Sequence, residues 1–193
     1  MEKRNGKGTF YVCWRGRRMI TGAILEKGED WYTDLNKVFK LVGNFQKDYN
    51  WLITDCEACP RKAGHAERIT QSKNGNYAWI SGEELTNIVR KDRFQWVWAV
   101  LSGFDKCYSK EEVLKYELPF ADGYRGFWTA DISIQHPLAS VELVAWDSSL
   151  TLLISKKESL VKAFREAFPL SEDLKEYNTI EKNVWHGALS GES

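Results

Sequence analysis

Three groups of side chains in this sequence have the types and spacing to do chemistry. The first is Cys56-Glu-Ala-Cys59, with His65 six residues further on. A C-x-x-C pair can take two corners of a tetrahedral zinc site, and His65 could supply a third. A structural site needs four ligands, and the remaining candidates, Cys13, Cys107, His136 and His186, stand at no recognised zinc spacing. A redox pair would want its thiol at a helix start, and Pro60 followed by Arg61-Lys62-Ala63-Gly64 is a poor one. No metal is favoured and no cofactor is expected. The four cysteines read as free thiols.

The second group is the polar row Thr129, Asp131, Ser133 and Gln135, joined by Glu142 on the next predicted strand. Two carboxylates on neighbouring strands could share acid–base work, as they do in glycosidases. The same row also describes the wet side of a half-buried sheet. The third group is Cys107 with His136, a nucleophile and base that would have to be brought together by the fold. The chain contains no G-x-S-x-G, P-loop, G-x-G-x-x-G or H-E-x-x-H motif.

One further stretch has the composition of a contact surface and not of a catalyst. Phe120-Ala-Asp-Gly-Tyr-Arg-Gly-Phe-Trp128 mixes aromatics, arginine and glycine. Tyrosine, tryptophan and arginine dominate binding hot spots, and glycines let a loop conform to a partner. Asp122, Tyr124, Arg125, Phe127, Trp128 and Asp131 are the binding residues this reading selects.

The elements that must hold these residues follow from hydrophobic period. Phe10–Trp14 and Met19–Leu25 read as a hairpin turning at Arg15–Arg17. Leu35, Val38, Phe39 and Val42 form one stripe of a helix, and Gly43 supplies its stop. Tyr49–Thr54 is a strand, and Cys56–Asn76 has no apolar period and reads as a long functional or mobile loop. Tyr77–Ile80 returns to strand character. Ser81…Glu84, Ser109…Glu112 and Ser155…Glu158 match the capping box, so each predicts a helix start.

Phe94–Leu101 is nearly continuous in apolar character and is the expected central strand. Phe127–Gln135 alternates, with Trp128, Ala130, Ile132 and Ile134 on one side, and predicts a half-buried antiparallel strand. Val141–Trp146 and Leu150–Ile154 form a hairpin around Asp147-Ser148-Ser149. A helix over Lys156–Phe168 buries Leu160, Val161, Phe164 and Phe168 before Pro169 ends it. The expected architecture is α+β, a single domain with an antiparallel or mixed sheet and helices mainly on one face. It spans residues 9–178, with flexible tails at 1–8 and 179–193.

Composition bounds the partners. The 193 residues suffice for one domain with a full core. Lysine plus arginine and aspartate plus glutamate are both 27, which disfavours a broad phosphate-binding surface. The charge is uneven, because Lys3, Arg4, Lys7, Arg15, Arg17 and Arg18 face Glu2 alone in the first eighteen residues. Nine tryptophans exceed what a core of this size needs, so some should line a surface. No apolar run approaches the ~20 residues of a membrane span, and Met1–Thr9 is polar, so a cytoplasmic protein is expected.

Tyr49-Asn-Trp-Leu-Ile53 and Trp146-Asp-Ser-Ser-Leu-Thr-Leu-Leu-Ile-Ser-Lys-Lys157 lie within a layout, roughly residues 49–168, that resembles small uncharacterised bacterial α+β families. Some members of such families look like immunity or accessory proteins that neutralise toxins by binding them. The resemblance implies a non-catalytic protein-binding module with a protein partner, and it carries over no functional residue. The alternatives are a small hydrolase-like enzyme using Asp131 and Glu142 or a Cys-His pair, and a nucleic-acid binder working through the basic N-terminus.

Overall fold

The computed structural model describes residues 2–4, 10–12, 19–62, 64–70 and 76–180. Strands β1 (Glu2–Arg4) and β2 (Phe10–Val12) pair antiparallel with each other. Among the described residues, the expected pairing of Phe10–Trp14 with Met19–Leu25 is not found. Strand β3 (Thr21–Leu25) lies between β8 (Leu150–Ser155) and the short β9 (Glu172–Asp173), which pairs with Ala23 and Ile24. The turn at Arg15–Arg17, Cys13, His186 and the tail from 181 lie outside the described residues, as do most of the basic N-terminal side chains.

Seven strands make one antiparallel sheet. Strand β4 (Tyr49–Ala58) lies between β5 (Tyr77–Ser81) and β6 (Trp96–Asp105), and β7 (Val141–Trp146) joins β6 to β8. The order is β5-β4-β6-β7-β8-β3-β9. The apolar run around Phe94–Leu101 is thus an interior strand, as its composition predicts. Asp147 and Ser148 turn the β7–β8 hairpin in the left-handed region, at φ 47° and 55°. Short polar side chains tolerate that conformation best after glycine.

Helices cover one face. Helix α1 (Leu35–Leu41) starts where Asp34 accepts the amide of Lys37 at 3.1 Å, and ends at Val42 before Gly43 at φ 72°. Helix α3 (Gly82–Lys91) buries Leu85, Ile88 and Val89, and α5 (Glu158–Ala167) buries Leu160, Val161 and Phe164. These side chains meet Trp51, Ile53, Leu101, Leu143 and Leu153 of the sheet in one core. Helix α2 (His65–Thr70) lies inside the stretch expected to be irregular. Its single fully buried anchor, Ile69, leaves no period to read.

The three capping patterns have different outcomes. Ser109 and Glu112 form the full reciprocal box at the start of α4 (Lys110–Val113). Ser81 caps α3 by accepting the amide of Glu84, but the Glu84 carboxylate instead holds Arg68 through both oxygens. Ser155 caps nothing. It is the last residue of β8, its hydroxyl is spent on the Ser140 carbonyl and the Lys157 amide, and α5 begins at Glu158.

The opposite face carries the second core, centred on Ile24, Leu52, Val100, Phe104, Val144 and Leu152. It is covered by α4, by α6 (Leu174–Thr179) and by an irregular stretch running to Ser140. The strand expected over Phe127–Gln135 is absent. A short 3-10 turn spans Arg125–Trp128, and the chain then crosses the sheet face instead of joining an edge. Ala130 is exposed and Ile134 buried, so the alternation of the letters is not the alternation of the structure. The end of the expected domain at 178 is held in place. Asn178 is buried and its amide donates to the carbonyls of Phe127 and Thr129, which holds the chain through α6.

Gly82 fixes how the helix layer sits. A β-carbon on it would run into the backbone carbonyl of Gln46, in the 3-10 turn Phe45–Asp48. Backbone cannot yield as a side chain end can, so Gly82→Ala should cost about 2 kcal/mol or more in urea unfolding. Asn87→Ala, on the exposed face of the same helix, should stay within about 0.5 kcal/mol. Equal midpoints for the two variants would show that this contact does not constrain the packing.

Candidate functional site

The Cys56–Cys59–His65 group does not assemble. Strand β4 continues beyond Thr54 through an irregularity in its pairing with β6, so Cys56 sits on a strand and not at a loop or helix start. Burial, reinforced by the charge of Asp55, pushes the Cys56 thiol up to about 12, far from a reactive thiolate. Cys59 is exposed. His65 turns to Asp92, with Nδ1 at 3.1 Å from Oδ2. Among the described residues no group of three histidine, cysteine or acidic side chains could hold a metal ion.

Asp92 is a structural hub. Its side chain is 2% exposed and Oδ2 accepts the amides of Arg61 and Lys62 at 3.0 and 2.8 Å. Burial works to raise its carboxyl, but those amides and His65 outweigh it and hold the group below its ordinary value.

The two carboxylates proposed to share a reaction are differently placed. Asp131 stands exposed in the irregular stretch, not on a strand. Glu142 is wholly buried on β7, facing the second core. Its Oε1 accepts the Ser102 hydroxyl and the His136 amide, both at 3.1 Å, and its Oε2 accepts the Gln135 amide at 2.9 Å. The carboxylate therefore ties a loop to the sheet. Without a strand over 129–135, the row Thr129, Asp131, Ser133 and Gln135 is no sheet face. Gln135 instead exchanges two hydrogen bonds with the backbone of Phe120, at 3.1 and 2.8 Å.

The third pairing fails on both members. Cys107 is disulfide-bonded, so the expectation of four free thiols is corrected and no thiol nucleophile exists there. His136 is buried, with Nε2 at 3.1 Å from the Val113 carbonyl while Nδ1 accepts the Leu138 amide at 3.2 Å. Those partners require one protonated and one bare nitrogen, the neutral ring. Burial lowers its pKa in the same sense, against the Val113 carbonyl.

The aromatic stretch does form a surface, and it is larger than its own residues. Phe120 is 47% exposed and stacks edge-on with Tyr124 at 5.4 Å. Tyr124 meets Phe127 at 4.7 Å, and Phe127 meets Trp146 at 6.2 Å. Trp146 then packs edge-to-face with both Trp128 and Trp98, each at 4.9 Å. Of the selected residues, Phe127 is fully buried and holds the row from beneath. Tyr124 and Trp128 are half-buried, and Asp122, Arg125 and Asp131 are exposed around them. Asp55, at φ 47° beside the β4 irregularity, anchors the stretch by accepting the amides of Ala121 and Asp122 at 2.7 and 3.0 Å.

Trp98 and Trp146 were not selected from sequence. Trp146 shares the parity of Val144 on β7, which could have placed it on this face. Trp98 likewise shares the parity of Val100 and Phe104 on β6, whereas the shifted register sends Trp96, two residues before it, into the other core.

Glu142 makes the stability of this support depend on pH. Burial raises its carboxyl from 4.5 to about 7, and the amides of Gln135 and His136, the Ser102 hydroxyl and Lys156 offset only part of that. A raised pKa means that the folded protein keeps a proton the unfolded chain has lost. The associated stability is fully present below the unfolded value and is lost as pH rises through about 7. Between pH 4.5 and 8 the loss is on the order of 3 kcal/mol. In urea unfolding, wild type should lose about 2.5 kcal/mol more than Glu142→Gln between pH 5 and 8, and parallel profiles would remove Glu142 as the cause. No described helix is long and apolar enough to cross a membrane. Compared with known protein families, curated proteins and solved structures, the chain matches none.

Proposed function

We propose that this chain is a non-catalytic protein-binding module, a bacterial protein of the immunity or accessory kind, that engages its partner through the aromatic row. The observation that supports this most directly is the continuous stack Phe120–Tyr124–Phe127–Trp146 with Trp98 and Trp128, half-exposed and anchored from below. Tyrosine and tryptophan offer large contact area with few rotatable bonds, and rings already held by neighbours lose little entropy on binding. Asp122, Arg125 and Asp131 surround the rings as a polar rim would. The buried titratable groups described above are occupied by backbone partners, which suits a scaffold better than an acid–base pair.

The test begins with a partner isolated from cells that make the protein, followed by calorimetry on the purified pair. Phe120→Ala with Asp122→Ala, both exposed and outside the core, should weaken affinity by about 2 kcal/mol or more while leaving unfolding nearly unchanged. Glu111→Ala, exposed on α4, should change affinity by less than about 0.5 kcal/mol. Unaltered affinity in the double variant would remove the aromatic row as the contact surface.

A further inference from the structure

A second feature lies among residues that neither the sequence motifs nor the aromatic row involve. Three connections converge on one place: the approach to α1 at Trp31, the exit from β4 at Arg61, and the link from α3 to β6 at Arg93, Phe94 and Gln95. Together they line a cleft of about 410 Å³. That falls in the size range of small-molecule sites, roughly 300–1,000 Å³. Its walls are fixed by hydrogen bonds. Gln95 donates its side-chain amide to the carbonyls of Tyr32 and Trp96, and the Cys59 amide donates to the Gln95 carbonyl at 3.0 Å.

The cleft holds an arginine with N–H groups to spare beside an aromatic ring. The Arg93 guanidinium lies over Trp31, 5.3 Å from the ring centroid. Its Nε and Nη2 donate to Asp34 Oδ2 at 3.0 and 2.6 Å, and Nη1 has no partner among the described residues. Arg61 is exposed, and its guanidinium meets no acceptor among the described residues, while its backbone amide is pinned by Asp92. Neither nearby carboxylate lines the cleft. Asp34 and Asp92 are only 6% and 2% exposed and are taken up by Arg93, by backbone amides and by His65. The guanidinium of Arg61 and the Nη1 side of Arg93 therefore border the opening, and the carboxylates do not line it. Guanidinium matches planar oxyanions through paired N–H donors and stacks on flat rings.

We propose that this cleft binds a small ligand carrying an oxyanion on a flat apolar group, as an aryl phosphate or an aromatic carboxylate does. The oxyanion meets Arg61 and the free edge of Arg93, and the flat group lies against Trp31. The cleft shares no residue with the aromatic row, so either assignment can fail without the other.

Phenyl phosphate, benzoate and inorganic phosphate, titrated separately into the full chain by calorimetry at low salt, test this. One of the two aromatic anions should bind with Kd of about 1 mM or tighter, and at least about tenfold more tightly than inorganic phosphate. Whichever aromatic anion binds better identifies the oxyanion. Arg61→Gln should weaken that binding about tenfold with unfolding unchanged, and Arg61→Lys should restore only part of it. Trp31→Ala should bring the aromatic anion down toward inorganic phosphate. No saturable binding of either aromatic anion below about 10 mM, or binding indifferent to Arg61→Gln, overturns the site.

Discussion

The buried carboxylate of Glu142 is the contact on which this architecture turns. One face of the sheet is closed by helices, which satisfy their own backbone groups. The other is closed largely by irregular chain, whose amides and carbonyls have no ladder to join. A buried amide without an acceptor costs about 1–3 kcal/mol, so such a cover is stable only if side chains take the place of strand partners. Glu142 supplies acceptors for two consecutive amides, those of Gln135 and His136. Asp55 does the same for Ala121 and Asp122, Gln135 for Phe120, and Asn178 donates to the carbonyls of Phe127 and Thr129. These four side chains do for the cover what hydrogen-bonded neighbours do for a strand.

That substitution explains where the sequence could be read and where it could not. Helices α1, α3 and α5 announce themselves because burial on one face forces a 3.6-residue period, and Leu35, Val38 and Phe39 or Leu160, Val161 and Phe164 obey it. The β7–β8 hairpin is equally plain, since both strands are buried on both faces and the turn uses residues that tolerate positive φ. Phe127–Gln135 misleads for a definite reason. Alternation of apolar and polar residues reports which side chains are buried, not where the backbone bonds go. Here Ile134 goes inward and Ala130 outward across a chain that never enters the sheet. Glu142 misleads in the opposite sense, because an acidic residue in a strand reads as solvent-facing until its partners, six and seven residues earlier, are placed beside it.

The candidate sites were legible only in part for related reasons. The aromatic stretch could be picked out by composition, but its continuation through Trp98 and Trp146 requires knowing which face of the sheet the stretch covers. An irregularity opposite β4 decides that Trp96 enters the helix-side core while Trp98 joins the row. The tryptophan excess is explained similarly. Trp51 and Trp96 are sealed in the core, whereas Trp31, Trp79, Trp98, Trp128 and Trp146 are only half-buried. The cleft of Trp31, Arg61 and Arg93 had no sequence signal, because its residues lie far apart in the chain and none belongs to a spaced motif.

The position of the aromatic row on the polar-anchored face has a mechanical consequence. Its rings come from two kinds of support: Trp98 and Trp146 stand on interior strands, while Phe120, Tyr124 and Trp128 ride on the irregular cover. The first pair is fixed by the ladder of β6, β7 and β8. The others are fixed by the buried Ala121, Phe127 and Ile134 of the cover together with the bonds of Glu142, Asp55, Gln135 and Asn178. Loss of one acceptor would free part of the stretch without unfolding the sheet, since none of these contacts belongs to the ladder. The row therefore combines a half fixed by the sheet ladder with a half held by side-chain packing and a few polar bonds, and a partner that spans both must find the cover closed.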